Sequence, residues 1–249
     1  MDKAYQLIPC LICCLIFSVV SCKKSEDRAC FKSTGELTSI SIPLDSVDEF
    51  RLFKNIRYEI FQDSQREVVI RGGKNVVGFI EVVNESGVLS LSNRNRCNFF
   101  RKSEDIPTVE IHYPYLKQFY FESSDSVYFH DTIYSDTLMI EMRQGGGSLS
   151  LCTDVDFLRI NVSYGTADYI LKGTANNAEV KIQNNGFADA SGFIAPYIFV
   201  YNNSTGDLLI NLDSSDATVH IEGTGNVKYT GVPSNVILQN PGSGSFIKI

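Results

Sequence analysis

A chain of 249 residues can form one large or two modest domains with real cores. Its composition, 43% hydrophobic and 20% charged, excludes wholesale disorder. The net charge of −7 excludes nucleic acid as a partner, because affinity there comes from Lys and Arg neutralising phosphates. No basic cluster is longer than Lys23-Lys24.

At the N-terminus, Lys3 precedes an apolar run from Leu7 to Val20, too short for a comfortable membrane span. A basic start, an apolar stretch and small residues at its end read as a secretory signal over 1–21. The ending Val19-Val20-Ser21-Cys22 resembles a bacterial lipobox, which makes Cys22 the expected lipidation site and the membrane a partner through its acyl chains. Residues 22–36 then form a solvated tether that begins Lys23-Lys24-Ser25-Glu26-Asp27-Arg28. Acidic residues just after Cys22 resemble the surface-export signal of Bacteroidetes lipoproteins, so the expected location is the outer membrane and the cell surface.

Export changes the cysteine arithmetic. Cys10, Cys13 and Cys14 leave with the signal and Cys22 carries lipid, so Cys30, Cys97 and Cys152 remain. Cys30 and Cys97 both lie in polar, non-periodic segments and are the candidate disulfide in an oxidising compartment. Closing that loop would stabilise the fold by roughly 4 kcal/mol. Cys152, read as ending the strand Leu149-Ser150-Leu151, is expected to be a small semi-buried filler.

From 37 to 121 the alternation of apolar and polar residues predicts an N-terminal β domain. Its strands are Phe50–Phe53, Arg57–Ile60, Glu67–Arg71, Val88–Ser92 and Thr108–Tyr113, with one helical turn within Asn75–Ile80. The polar stretch from Asn93 to Asp105 reads as a loop.

From 122 to 249 the chain repeats. Turn marks at Ser126, Ser148, Asp168, Asp189, Asp207, Asn226 and Ser245 are separated by 22, 20, 21, 18, 19 and 19 residues. Such a period marks a solenoid. A second set of strands lies between the turns, and Leu138, Leu158, Ala178 and Ile198 fall twenty apart with apolar i+2 neighbours. Side chains alternate faces along a strand, so these positions predict inward ladders. The fold class is therefore all-β: an N-terminal β domain followed by a two-sheet parallel β-solenoid of about 20 residues per coil. Gly and Asp at the corners are expected because the chain must reverse tightly, often with φ > 0. About six coils would make a stack roughly 30 Å long. The last coil reaches Ile249 without a capping segment, so a second chain, as in a homo-oligomer, is the expected shield for its edge.

Catalysis finds little support. His112, His130 and His220 share no metal-ligand spacing, and no nucleophile elbow or phosphate loop occurs. The corner carboxylates Asp168, Asp189 and Asp207 are read as turn geometry rather than a calcium site, so no metal and no cofactor is assigned. The binding candidate is aromatic: with Ile198 and Val200 inward, Tyr197, Phe199 and Tyr201 point outward on one strand, a platform for a surface glycan or a protein ligand.

The corners Thr205-Gly206-Asp207, Thr224-Gly225-Asn226 and Gly242-Ser243-Gly244-Ser245, the segment Asn95-Arg96-Cys97-Asn98, and Cys30 ahead of Ser33-Thr34-Gly35 together resemble the "putative auto-transporter adhesin, head GIN domain" family of Bacteroidetes lipoproteins. The resemblance runs from about Phe50 to the end. Gly145-Gly146-Gly147, Thr166-Ala167-Asp168 and Phe187-Ala188-Asp189 depart from the Gly-centred corner. It implies a β-helix-like, surface-associated protein with a proposed adhesion function, no established catalytic residues and no particular substrate. A structural lipoprotein facing the periplasm, and a carbohydrate-active β-helix enzyme, stay open as alternatives.

Overall fold

A computed structural model describes residues 33–53, 55–95, 102 and 105–249. Cys22, Cys30 and Cys97 lie outside the described residues. The first strands are β1 (Leu37–Pro43), β2 (Glu49–Phe53), β3 (Arg57–Phe61) and β4 (Glu67–Gly73), followed by the single helical turn α1 (Lys74–Val77). Then come β5 (Ile80–Glu85), β6 (Val88–Asn93), β7 (Thr108–His112) and β8 (Gln118–Glu122). Three long strands follow, β9 (Val127–Arg143), β10 (Ser148–Ser163) and β11 (Asp168–Asn184). The remainder are β12 (Phe187–Ile194), β13 (Tyr197–Ser204), β14 (Leu208–Asn211), β15 (Asp216–Ile221), β16 (Val227–Thr230), β17 (Asn235–Gln239) and β18 (Phe246–Lys248).

From residue 118 onward the chain winds into about seven coils of roughly 20 residues, the predicted solenoid. Each coil contributes one arm to a front sheet and one to a back sheet. In β9, β10 and β11 both arms belong to one strand that bends at the corner, so hydrogen bonding joins all 18 strands. The back sheet runs β5-β6-β2-β8, then the second arms of β9 to β11, then β13-β15-β17. The front sheet runs β1-β4-β7-β3, then the first arms of β9 to β11, then β12-β14-β16-β18. Solenoid pairings are parallel; among the described residues only β1–β4, β4–β7 and β5–β6 are antiparallel. The stack is roughly 50 Å long at the usual strand spacing, because the strands before residue 118 extend both sheets.

One core runs from Leu44 to Val227 without interruption. Leu138, Leu158, Ala178 and Ile198 stack in register and are all buried, as are Ile140, Ile160, Val180 and Val200 one step along. Each rung hides its side chain between the rungs above and below. Asn202 interrupts the apolar row Met142, Val162, Ile182 and is itself fully buried. Its Nδ2 donates to the carbonyls of Gly206 (3.2 Å) and Asn226 (3.1 Å), while Oδ1 accepts from the Ser204 amide (2.9 Å). The buried amide thus ties two successive corners to the core.

Two expectations about corners and one about Cys152 are corrected. The left-handed positions of the back-to-front corner are Gln144, Tyr164 and Asn184, with φ of 51°, 55° and 63°. The corner glycines Gly206, Gly225 and Gly244 do not have positive φ. They form a column in which a Cβ on any one would lie closer than 3.0 Å to the carbonyl oxygen of the glycine one coil before. Glycine is there so that coils can approach. The corner carboxylates mostly bond forward to the next coil: Asp168 Oδ1 accepts from the Phe187 amide (3.0 Å) and Asp207 Oδ1 from the Asn226 amide (2.8 Å). Only Asp189 caps its own turn, accepting from the Ser191 amide and hydroxyl. Cys152 does not end its strand; β10 continues to Ser163, and the free, half-buried thiol accepts from the Thr132 hydroxyl at 3.5 Å.

One outward ion pair spans the same one-coil step and is reinforced within its own strand. Arg159 donates twice to Glu179 (3.0 and 2.8 Å), and Lys181 Nζ adds a third bond (2.5 Å). The Arg159 bonds, offset in part by burial and reinforced by Lys181, lower the Glu179 pKa from 4.5 to about 2. A depressed carboxylate contributes stability that is complete above the unfolded value and lost as pH falls towards the folded one. Glu179→Gln should therefore destabilise by about 1–2 kcal/mol at pH 7, after allowance for solvent screening. The deficit should shrink as pH drops from 4.5 to 2. Denaturant unfolding of both proteins across that range measures it; a deficit independent of pH would show that charge is not its origin.

Candidate functional site

The strand carrying the predicted aromatic patch alternates as expected: Ile198, Val200 and Asn202 are buried while Tyr197, Phe199 and Tyr201 face out. Neighbours occupy much of this face. Phe199 and Tyr201 stack at 6.4 Å with 13° between their planes, and Lys181 Nζ lies 5.2 Å from the Phe199 ring centre. Tyr201 packs edge-on to His220 at 5.5 Å and donates to Glu222 Oε2. Burial, then the bond to Glu222, raises the Tyr201 pKa. Only Tyr197 stands clear, 60% exposed, beside a shallow depression of about 460 Å³ shared with Phe157, Asp216 and Ile237. The patch is a sheet surface already knit to its own coil neighbours.

A larger groove, about 1010 Å³, lies along the front-to-back corner. In one row, Tyr134, Asp154, Thr174 and Ile194 succeed one another in register from coil to coil. Two residues further along each coil come Asp136, Asp156, Asn176 and Pro196. The residues between these rows, Val155 and Ala175, point into the core. The strand period therefore sends both polar rows outward. Thr174 Oγ1 donates to Asp154 Oδ1 (3.1 Å) and Asn176 Nδ2 to Asp156 Oδ1 (2.7 Å), so neighbouring coils are cross-linked along the groove.

Tyr115 and Tyr134 stand at one end, each 63% exposed. Tyr115 occupies the turn between β7 and β8, where Tyr113 and Leu116 are buried on either side of it. The Tyr113 hydroxyl accepts from the Val47 amide at 2.7 Å, which fixes the turn and leaves the Tyr115 ring outside. Gln62 joins the two aromatic segments: its Nε2 donates to the carbonyls of Pro114 (3.1 Å) and Tyr134 (2.8 Å), and its Oε1 accepts from the Tyr134 amide (2.8 Å). Both rings are thus held by backbone anchors that leave their side chains free. Among the described residues Lys117 is the one cation lining the groove, 3.5 Å from Asp48.

No local sequence motif marks this groove. Its signal was available in the spacing of Tyr134, Asp154, Thr174 and Ile194, all outward positions of the same period that revealed the core. The fold also unites two histidines that lie apart in the sequence. His112 and His130 stack on opposite sides of Phe61 at 4.6 and 4.4 Å, with His112 Nδ1 2.6 Å from Asp63 and His130 Nε2 3.3 Å from Glu59. β3 lies between β7 and β9, an order the chain sequence does not reveal. Among the described residues no group of three or more His, Cys, Asp or Glu is placed to hold a metal ion.

A two-sheet parallel stack with polar corners and an open side groove defines a β-solenoid, and the family comparison gives it its place. The family described as "Putative auto-transporter adhesin, head GIN domain" matches residues 47–233, and the chain belongs to that family. Among solved structures, a "putative adhesin" from Bacteroides fragilis is similar with a TM-score of 0.74 at 22% identity, covering 86% of this chain and 97% of that one. A "putative adhesin" from Parabacteroides merdae gives 0.62 at 17% identity with the same two coverages. A "putative lipid binding protein" from Parabacteroides distasonis gives 0.58 at 16%, again covering 86% and 97%. At these identities the likeness is one of fold. None of the curated proteins matches this chain.

Proposed function

We propose that the chain is a lipid-anchored adhesin of the outer membrane, tethered through Cys22 and presenting its front-to-back corner to a ligand outside the cell. The observation that carries this reading is the 1010 Å³ groove walled by Tyr115 and Tyr134, two large rings that core packing does not require. Membership of a family described as adhesins supports it, and so does the secretory and lipobox-like start of the sequence. The role needs no catalysis. A stack of roughly 50 Å also suits display near a membrane rather than projection far from it.

The test uses intact cells of the native bacterium. External protease should remove the protein, and antibody should label it, without permeabilisation. Cys22→Ser should release the protein from the membrane fraction and abolish incorporation of labelled fatty acid. Protection from protease in intact cells, with digestion only after permeabilisation, would instead establish the periplasm-facing scaffold.

A further inference from the structure

We propose that the groove at the front-to-back corner binds a neutral, hydroxyl-rich glycan chain lying along the stack, with its sugar rings against Tyr115 and Tyr134. This rests on the adhesive reading of the same groove and names its ligand class. Four features converge on it.

The first is the pairing of exposed rings with hydrogen-bonding side chains. A tyrosine ring offers an apolar face to the C–H surface of a sugar and a hydroxyl at its tip. Beyond the rings, Asp136 and Asp156 present carboxylates, Asn176 an amide and Thr174 a hydroxyl. A carboxylate can accept from two adjacent hydroxyls at once, and the amide both donates and accepts. The second is spacing. These groups recur coil by coil at about 4.8 Å, close to the length of one sugar unit, on a scaffold with its backbone already paired.

The third feature is charge. Asp136, Asp154 and Asp156 face the groove with Lys117 as the only lining cation among the described residues, and Lys117 already has Asp48 beside it. A phosphate, sulfate or uronate chain would meet like charge. The fourth is openness. The groove lies open on the surface of the corner, so it does not enclose an acyl chain as a lipid site must. Strand addition by a peptide is also excluded here, because β10 and β11 are paired on both sides.

The full chain carrying Cys22→Ser, which removes the expected lipid attachment point, is tested for binding. The immobilised probes are neutral mannan, xylan, galactan and β-glucan, anionic heparin and polygalacturonate, cationic polylysine, and phosphatidylglycerol vesicles. Binding to at least one neutral glycan is expected, weakened about tenfold by Tyr115→Ala and by Tyr134→Ala. Tyr128→Ala, an exposed ring on the front sheet outside the groove, should leave it unchanged. Circular dichroism and thermal unfolding should be unaltered in all three, since these rings are exposed.

Failure of every neutral glycan to bind, or neutral-glycan binding that survives both groove substitutions, overturns the proposal. Binding of polylysine, an anionic glycan or vesicles alone, lost in the groove variants, would overturn the ligand class while leaving an adhesive groove in place. Loss of cell adherence in Tyr115→Ala/Tyr134→Ala without any neutral glycan bound would separate the two in the same way.

Discussion

Gly225→Ala is expected to lower the unfolding temperature by roughly 10 °C while leaving the fold's strand content intact. Gly225 is buried at the back-to-front corner, and a Cβ there would run into the carbonyl oxygen of Gly206 one coil earlier. The obstacle is backbone on backbone, so no side-chain rotation can relieve it. The Gly225 amide also donates to the Ser204 carbonyl at 2.8 Å, and moving the corner outward would stretch that bond. Overpacking costs about 1–3 kcal/mol and reaches the upper end or beyond when, as here, backbone meets backbone. For a fold of this size each kcal/mol corresponds to about 2–4 °C. Thermal unfolding followed by circular dichroism measures the shift. Gly78→Ala is the matched control, since a Cβ at Gly78 meets nothing within 4 Å and its φ is −68°. Equal stability of the two variants would show that the coils can separate at the corner without loss.

Asn202→Ala and Asn202→Leu should both destabilise by about 2–4 kcal/mol, for related but separable reasons. Either change removes the donors to the Gly206 and Asn226 carbonyls and the acceptor for the Ser204 amide. A buried polar group left without a partner costs about 1–3 kcal/mol. Leucine restores the volume that alanine gives up, so any stability Leu regains over Ala measures packing, and the remainder measures the bonds. Denaturant unfolding of the two variants beside the parent provides the comparison. A leucine variant as stable as the parent would mean that the corner carbonyls find other donors.

The solenoid was legible because its cause is periodic. Leu138, Leu158, Ala178 and Ile198 recur at the coil length because each must sit on the one before, and that requirement writes itself into the chain. The corner glycines were legible as corners but misread in mechanism: a turn that needs φ > 0 and a turn that needs close approach both select glycine. Only the geometry separates Gln144, Tyr164 and Asn184, which have positive φ, from Gly206, Gly225 and Gly244, which do not. β1, β5 and β8 were not predicted as strands. β8 takes its register from partners far away in the chain, Phe119 pairing with Phe50 on one side and Ile140 on the other, whereas β5 pairs with the adjacent β6. The groove was half legible. Its polar rows obey the repeat, but Tyr115 reaches them from outside the repeat, held in place by Gln62, and no local pattern announces that contact.

The order of the first coils bears on how the protein comes to exist at all. β2 and β3 are made early, yet in the stack they lie between β6–β7 and β8–β9, which are made later. Neither edge of the pair can be closed by the residues that directly follow it. The starting platform is complete only when the chain has been delivered as far as β9, after distant segments have met and their loop-closure entropy has been overcome. From there each new coil finds a ready template and adds by contacts about twenty residues apart, as repeat proteins do. Assembly is therefore slow to begin and quick to finish. β2 and β3 spend the interval as bare strands, the period in which the chain is most open to capture by another of its kind.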